Sequence, residues 1–310
     1  MNYAIYKLDF KTGVHIGVDS LTDNEYVINS DTIFSALCHE ALKAGGTELL
    51  DKLVTLVKDN LIFISDAMPF IKDELYVPKP LKPVDIVEDE GNSVQKKAFK
   101  KLKYIPVSKL GIYMEGNLDP NYESDIFTDL GKHSIETQAR IRGTEETMPY
   151  SVGVYRFSSG NGIYICIAYT RTDDLYFMED LLLSLSYTGI GGKRSSGLGK
   201  FGFVVEGPPD EMLERLNNKA AKSYMTLSSS MPDEEEIDLA IEDSYYLLVK
   251  RSGFVSSLTY AVGNLKKKDF YAFKAGSCFT SRFNGDIYDV SYKGNHPVYR
   301  YAKPMFLGVS

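Results

Sequence analysis

The chain has 310 residues, 44% of them hydrophobic, enough for a sizeable buried core and a length that suits about two domains. A formal net charge of -7 excludes a general nucleic-acid coat, because non-specific affinity comes from neutralising phosphates; any nucleic-acid site must be local. No apolar run approaches the roughly 20 residues of a membrane span, and MNYAIYKLDF lacks the charged start and apolar middle of a signal peptide, so the expectation is a cytoplasmic protein without membrane contact.

Residues 3 to 10 alternate as a half-buried strand, with Ala4, Tyr6, Leu8 and Phe10 on one face and Tyr3, Ile5, Lys7 and Asp9 on the other. Ser30 or Asp31 can cap a helix through residue 43 that Gly45 ends, and a second short helix is expected over 47 to 58. LIFIS at 61 to 65 is strand-like. The prolines of YVPKPLKP then break regular structure, and 82 to 108, with VEDEGN and the lysine-rich KKAFKKLKY, reads as a protruding excursion outside the core. In IETQARIR, Ile135, Thr137, Ala139 and Ile141 alternate with Glu136, Gln138, Arg140 and Arg142, which puts two arginines on one strand face.

Further strands are expected at 150 to 157 and 163 to 169, then a helix from Asp173 to about Tyr187 and a strand in FGFVV. The order strand, helix, strands, helix, strand fits a ferredoxin-like, or RRM-like, α+β sheet enlarged by insertions. Gly207, Pro208 and Pro209 mark a boundary, giving units of 1 to 206 and 207 to 310. Strand candidates in the second lie around 224 to 228, 245 to 250, 270 to 273, 286 to 291 and 298 to 301. With little helix signal it reads as a smaller, degenerate copy. Cys38, Cys166 and Cys278 are widely spaced in apolar sequence and read as buried thiols, with no disulfide, metal site or cofactor implied.

One stretch stands apart. GIGGKRSSGLGKF, residues 189 to 201, puts five glycines, three cations and two serines in thirteen positions without an acid. Glycines let backbone amides approach a ligand and turn toward it, and Lys193, Arg194 and Lys200 bring charge, so the implied ligand is polyanionic. A P-loop fails twice: Arg194 follows Gly192-Lys193, and Tyr187 stands where the first glycine belongs. GLGKFG spells the dinucleotide pattern, but a strand comes after it where that pattern needs a helix. Other charge clusters are Lys96, Lys97, Lys100, Lys101 and Lys103, then Lys266 to Lys268, and the acidic DEEEID at 233 to 238, which reads as a solvated face.

This loop, directly after an amphipathic helix, resembles the glycine-rich signature of the RAMP superfamily of CRISPR-associated RNA-binding proteins. YKLDFKTGVHIG with SDTIFSAL, PKPL followed by KKLKYIPV, the turn Arg251-Ser252-Gly253, AGSCF and NHPVYRYAKPMFLGV are similar to the family of the fourth Csm subunit of type III-A effector complexes, across almost the whole chain. The resemblance implies a binding and scaffolding subunit and not an enzyme. Such a subunit grips the repeat-derived 5′ tag of the guide RNA, caps the backbone filament beside a RAMP subunit and contacts the large polymerase-like subunit. Carried over by position, Gly189, Gly191, Gly192, Lys193, Arg194, Ser195, Ser196, Gly197, Gly199 and Lys200 would line the tag. The excursion at 82 to 108 would be the thumb against the guide–target RNA duplex, with Lys97 and Lys101 on phosphates and Phe99 or Tyr104 on a base.

His15, Arg140, Arg142 and Arg251 complete the candidate RNA contacts. Some RAMP relatives cleave precursor RNA with a histidine base, which makes His15, His39 and His133 the alternatives for a metal-independent endonuclease. Against that reading, no acid–base pair is apparent, Asp31 reads as a helix cap and His296 as structural. A nucleotide-binding protein with an unusual glycine loop is a third reading.

Overall fold

Apolar residues on both sides of β1 (Asn2–Phe10) mark it as a central strand, and the rest of the fold is layered on it. The computed structural model describes residues 1–17, 20–85, 93–140, 148–257, 259–263 and 265–309, the side chains of 93–95 and 140 excepted. It is a mixed α+β structure with antiparallel sheets. After β1 come α1 (Ser30–Lys58), β2 (Ile62–Ile64), β3 (Met68–Ile71), β4 (Glu74–Pro78), α2 (Ser93–Lys101) and β5 (Tyr104–Pro106). A hairpin of β6 (Gly131–Arg140) and β7 (Met148–Phe157) leads to β8 (Asn161–Tyr169), α3 (Thr172–Thr188) and β9 (Phe201–Glu206). The main sheet has the order β9-β1-β8-β3-β4-β5, and β2 also pairs with β8. Ile5 lies opposite both Cys166 and Glu206.

Both faces of this sheet are covered. Ala4, Tyr6, Leu8, Ile163, Ile165 and Ile167 share a core with Ile33, Phe34 and Leu37 of α1 and Leu181 and Leu185 of α3. On the other side Ile5, Tyr164, Cys166 and Ala168 share a second core with Phe99, Leu102 and Leu110, and with Met225, Leu227, Met305 and Leu307 from the C-terminal third. β8 is therefore buried at every position but the last, and a strand covered on both sides reads as a continuous apolar run. β1, expected to be half-buried, is covered on both faces for the same reason: Ile5 is fully buried.

The expected break in α1 is present. Gly45 and Gly46 leave helical geometry, and Gly46 adopts φ 65°, ψ -149°, a region open essentially to glycine. Beyond β9 the chain forms α4 (Asp210–Asn217), β10 (Tyr224–Thr226), β11 (Leu248–Arg251), β12 (Phe270–Phe273), β13 (Cys278–Phe279), β14 (Ile287–Asp289), β15 (Tyr299–Tyr301) and β16 (Phe306–Gly308). They pair as β13-β10-β16, β11-β12 and β14-β15. The strands expected in this part are present, that at 270–273 with its expected bounds and the others shorter. β13, β16 and α4 went unread, since two- and three-residue strands carry no periodicity. β15 docks on α1, where the Tyr301 ring lies 5.6 Å from that of Phe34 and its hydroxyl accepts the Ile64 N–H at 2.7 Å. Among the described residues no helix is long and apolar enough to cross a membrane. The three cysteines are free thiols, Cys166 and Cys278 buried and Cys38 partly so.

The reading of 82 to 108 as a protruding excursion is corrected. Residues 86–92 lie outside the described residues, but α2 and β5 pack into the core. Phe99 is 5% exposed and Ile105 fully buried, β5 extends the main sheet with Tyr76 opposite Pro106, and the Tyr104 ring stacks on Phe127 at 5.8 Å. Neither ring is presented to a base. Composition misled because few apolar residues are present, yet Phe99 from α2, Leu102 from the link and Ile105 from β5 all enter the same core. Replacing Phe99 with Ala should cost about 3 to 5 kcal/mol in a denaturant titration, as for a buried ring. An unchanged midpoint would show the segment to be dispensable to the core.

Candidate functional site

The glycine loop leaves α3 at Gly189 and returns to the sheet at Phe201. Its backbone approaches itself so closely that side chains are excluded: a Cβ on Gly199 would lie 2.0 Å from the Ile190 carbonyl oxygen, and one on Gly191 2.7 Å from that of His15. The Ile190 N–H donates to Gly199 O at 3.0 Å, the Gly199 N–H to Gly13 O at 2.9 Å and the Gly192 N–H to His15 O at 2.8 Å. Ile190 and Leu198 point inward, 2% and 6% exposed, Ile190 into the core beneath α1 and α3 and Leu198 against Val152 and Val154 of β7. Ser195, Ser196 and Lys200 are left facing solvent, Arg194 is half-buried, and the Lys193 ammonium lies 4.3 Å from the centre of the Tyr150 ring.

His15 is buried beneath this loop. Its Nδ1 lies 2.7 Å from the Gly153 carbonyl, which can only accept, so Nδ1 carries the proton. The loop, the start of α1 and the C-terminal third enclose a cleft of about 890 Å³. Arg194 stands on the loop side; Lys250, Arg251, Lys267, Lys274 and Arg300 stand on the other, and the lining carboxylates are Glu25 and Asp31.

Asp31 is the centre of the cleft floor. Arg251 reaches it as a fork, Nε to Oδ2 at 3.0 Å and Nη2 to Oδ1 at 2.7 Å, and Nη2 also lies 3.3 Å from the Thr32 hydroxyl. Arg300 Nη1 donates to Oδ2 as well. Burial by itself would raise the Asp31 carboxyl, but the two guanidiniums outweigh it and hold the group below its ordinary value. Capping of α1 falls instead to Asp66, which is wholly buried. Its oxygens accept the N–H of Ser30 at 2.8 Å and of Ser229 at 3.0 Å, with Asn29 Nδ2 at 3.0 Å and Ser229 Oγ at 3.2 Å. Burial prevails there and raises the carboxyl's pKa.

Beyond Asp31, Lys250 is paired with Asp269 at 2.6 Å, while the other cations of the wall outnumber the lining carboxylates. The Lys267 pKa is lowered by burial and then by Arg300, and that of His39 is lowered by burial, Arg194, Lys43 and Lys267.

Of the residues singled out from sequence, the cleft brings together His15, Gly191, Gly192, Arg194 and Arg251. Gly189, Gly197 and Gly199 shape the loop. Lys97 and Lys101 are exposed on α2 and do not line the cleft. Arg140 ends β6, and Arg142 lies outside the described residues. On that strand Ile135 is 67% exposed while Glu136 pairs with Arg156 at 2.6 Å. Two readings change: Asp31 is an ion-pair hub and not a cap, and Arg251, expected on RNA, has its fork committed to that hub. Lys250, Lys267, Lys274 and Arg300 were missed, although the Lys266 to Lys268 cluster was the available signal.

The RAMP superfamily profile matches residues 7–202, which places this fold and its glycine loop among the RAMP proteins. Within that class the chain belongs to the Csm4 family, for the CRISPR Csm4 C-terminal domain profile matches 219–309. The chain is 37% identical over 310 residues to the CRISPR system Cms protein Csm4 of Mycobacterium tuberculosis strain H37Rv, covering 100% of this chain and 98% of the relative. The Streptococcus thermophilus protein of the same name is 32% identical, covering 99% and 98%. Among solved structures, one chain of the Csm3-Csm4 subcomplex of the type III-A CRISPR-Cas interference complex matches with TM-score 0.67 at 18% identity over 99% of each chain. One from the Csm1-Csm4 cassette in complex with cA4 matches at 0.63 and 16% over 100% of this chain and 98% of that one; these likenesses speak for the fold.

Removing the hub leaves two guanidiniums unpaired, so Asp31→Ala should cost about 3 to 5 kcal/mol of stability near neutral pH. Because the folded-state pKa is lowered from 3.8, this carboxylate's contribution is complete above that value and lost as pH falls through the lower folded one. Urea titrations across the acid range should show a shallower loss in the variant. Equal curves for the two proteins would remove Asp31 from its place in the fold.

Proposed function

We propose that the protein is a non-catalytic RNA-binding subunit of a type III-A CRISPR (Csm) effector complex, gripping the 5′ repeat-derived tag of the guide RNA between its glycine loop and the cleft. The carrying observation is the conjunction of a rigid loop bearing exposed Ser195, Ser196 and Lys200 with a wall of cations on an otherwise acidic chain. A single strand suits such a surface, whose cations track the backbone and whose loop amides and hydroxyls meet phosphate and 2′-hydroxyl groups.

The solved relatives stand in complexes with Csm3 and with Csm1. By that likeness this chain caps the filament between a backbone RAMP subunit and the large polymerase-like subunit, in the cytoplasm. The strand order β9-β1-β8-β3 with α1 and α3 on one face supports reading residues 1–206 as ferredoxin-like, and 207–310 as a smaller, degenerate second unit. The arm toward the guide–target duplex is better sought in the β6–β7 hairpin than at 82–108. Its strands pair over ten residues and leave Ile135 and Met148 67% and 73% exposed.

Of the histidines weighed for cleavage, His15 is buried and held by Gly153, His133 Nδ1 lies 3.1 Å from the Asn24 side-chain oxygen, and His39 lines the cleft among its cations.

Lys193→Ala with Arg194→Ala should weaken binding of tag RNA with the fold intact, and should flatten the salt dependence by about 0.7 in log–log slope for each phosphate no longer neutralised. Unchanged affinity and slope would refute the loop as the tag site. Incubation of the protein with repeat RNA should leave it uncleaved with or without magnesium. Cleavage abolished by His15→Ala or His133→Ala would favour the endonuclease.

A further inference from the structure

Arg300 is 6% exposed and lines the cleft, yet only its Nη1 is bonded, to Asp31. Its Nε and Nη2, both buried, have no hydrogen-bond partner among the described residues. Buried guanidinium nitrogens are costly to leave so, and nearly all buried polar groups in folded proteins are paired. Lys267 lines the same cleft half-buried, with no hydrogen-bond or ion-pair partner for its ammonium among the described residues. Around Asp31 there are thus three cations, Arg251, Arg300 and Lys267, to one carboxylate, and that carboxylate already accepts three nitrogens from the two arginines. Among the described residues Glu25 is the other acid of the cleft lining. Two positive charges remain over, beside the Thr32 and Ser35 side chains that also line the wall.

We propose that the C-terminal wall of the cleft is a phosphate-binding subsite, in which Arg300 and Lys267 hold one phosphate group of the bound RNA opposite the glycine loop. This rests on the RNA-binding reading and sharpens it: the C-terminal third is itself an RNA-contacting surface, and Asp31 orients the guanidinium that makes the contact. The half-buried Lys267 ammonium supplies a contact without a fixed direction, and the Arg300 guanidinium beside it, planar and always charged, adds its field and a fork whose geometry suits phosphate oxygens. The phosphate is either an internal diester or a terminal monoester.

Arg300→Ala would disturb the Asp31 hub, so the test uses Lys267→Met in the full chain, which keeps the aliphatic stem and removes one charge from a crowd of like charges. Thermal unfolding without phosphate should therefore occur at an equal or higher temperature than in wild type. Inorganic phosphate, compared with chloride at matched ionic strength, should raise the wild-type midpoint and raise that of the variant clearly less. Affinity for tag RNA should fall about tenfold, the scale of one charge-assisted contact. A loss confined to 5′-phosphorylated RNA identifies the terminal monoester, and an equal loss with 5′-hydroxyl RNA an internal diester; either supports the subsite. A phosphate response the same in both proteins overturns the subsite whatever RNA does, and so does equal RNA affinity if wild type binds RNA. Should wild type bind no RNA while its phosphate response depends on Lys267, the subsite stands and the RNA reading falls.

Discussion

The carboxylate of Asp31 ties the start of α1 to two arginines that arrive 220 and 269 residues later. At the same helix terminus Asp66 does likewise with hydrogen bonds, joining Ser30 to Ser229. Burying these carboxylates carries a desolvation cost, and such groups contribute more to placement than to net stability. Here the placement has a clear product. The two arginines are held on one wall by the start of α1, and the glycine loop is held on the other by the segment that follows β1.

Charge is managed locally against the sign of the whole. The chain is acidic overall, and its acids are spent structurally: Glu40 accepts Ser184 and Thr188 hydroxyls, and Glu236, from the run read as a solvated face, accepts the backbone N–H groups of Asn284 and Gly285. The cations of the cleft outnumber the carboxylates Asp31 and Glu25 that line it with them, and among the described residues Lys250 alone takes an acid from outside, Asp269. A polyanion entering it meets a potential already set and needs no rearrangement of distant charge.

The two-sided sheet accounts for the rigidity of this arrangement. Since β1 and β8 are packed by helices on one face and by α2 and the C-terminal strands on the other, the glycine loop, wound on the exit of β1, is mounted on the most buried part of the molecule. His15 completes the mounting by linking loop and hairpin, through Gly192 on one side and Gly153 on the other.

Local pattern sufficed for the longer elements of the first two-thirds, α2 excepted, and for the loop. Alternation marked β1, the pair Gly45–Gly46 broke α1, and the density of glycine and cations in residues 189 to 201 could be read without knowing what lay opposite. Glycine's conformational freedom and a strand's period of two are properties of neighbouring residues, so sequence carries them. What only the tertiary structure decided was partnership across distance. Nothing near Asp31 in the chain tells it from a helix cap, because Arg251 and Arg300 reach it through folding alone. Phe99, Leu102 and Ile105 look like the sparse apolar content of an arm until the face of β8 that needs covering is in view. Arg300 sits in a motif legible as a strand, but its unpaired nitrogens are set by which acids do not come near it, a long-range fact with no local trace.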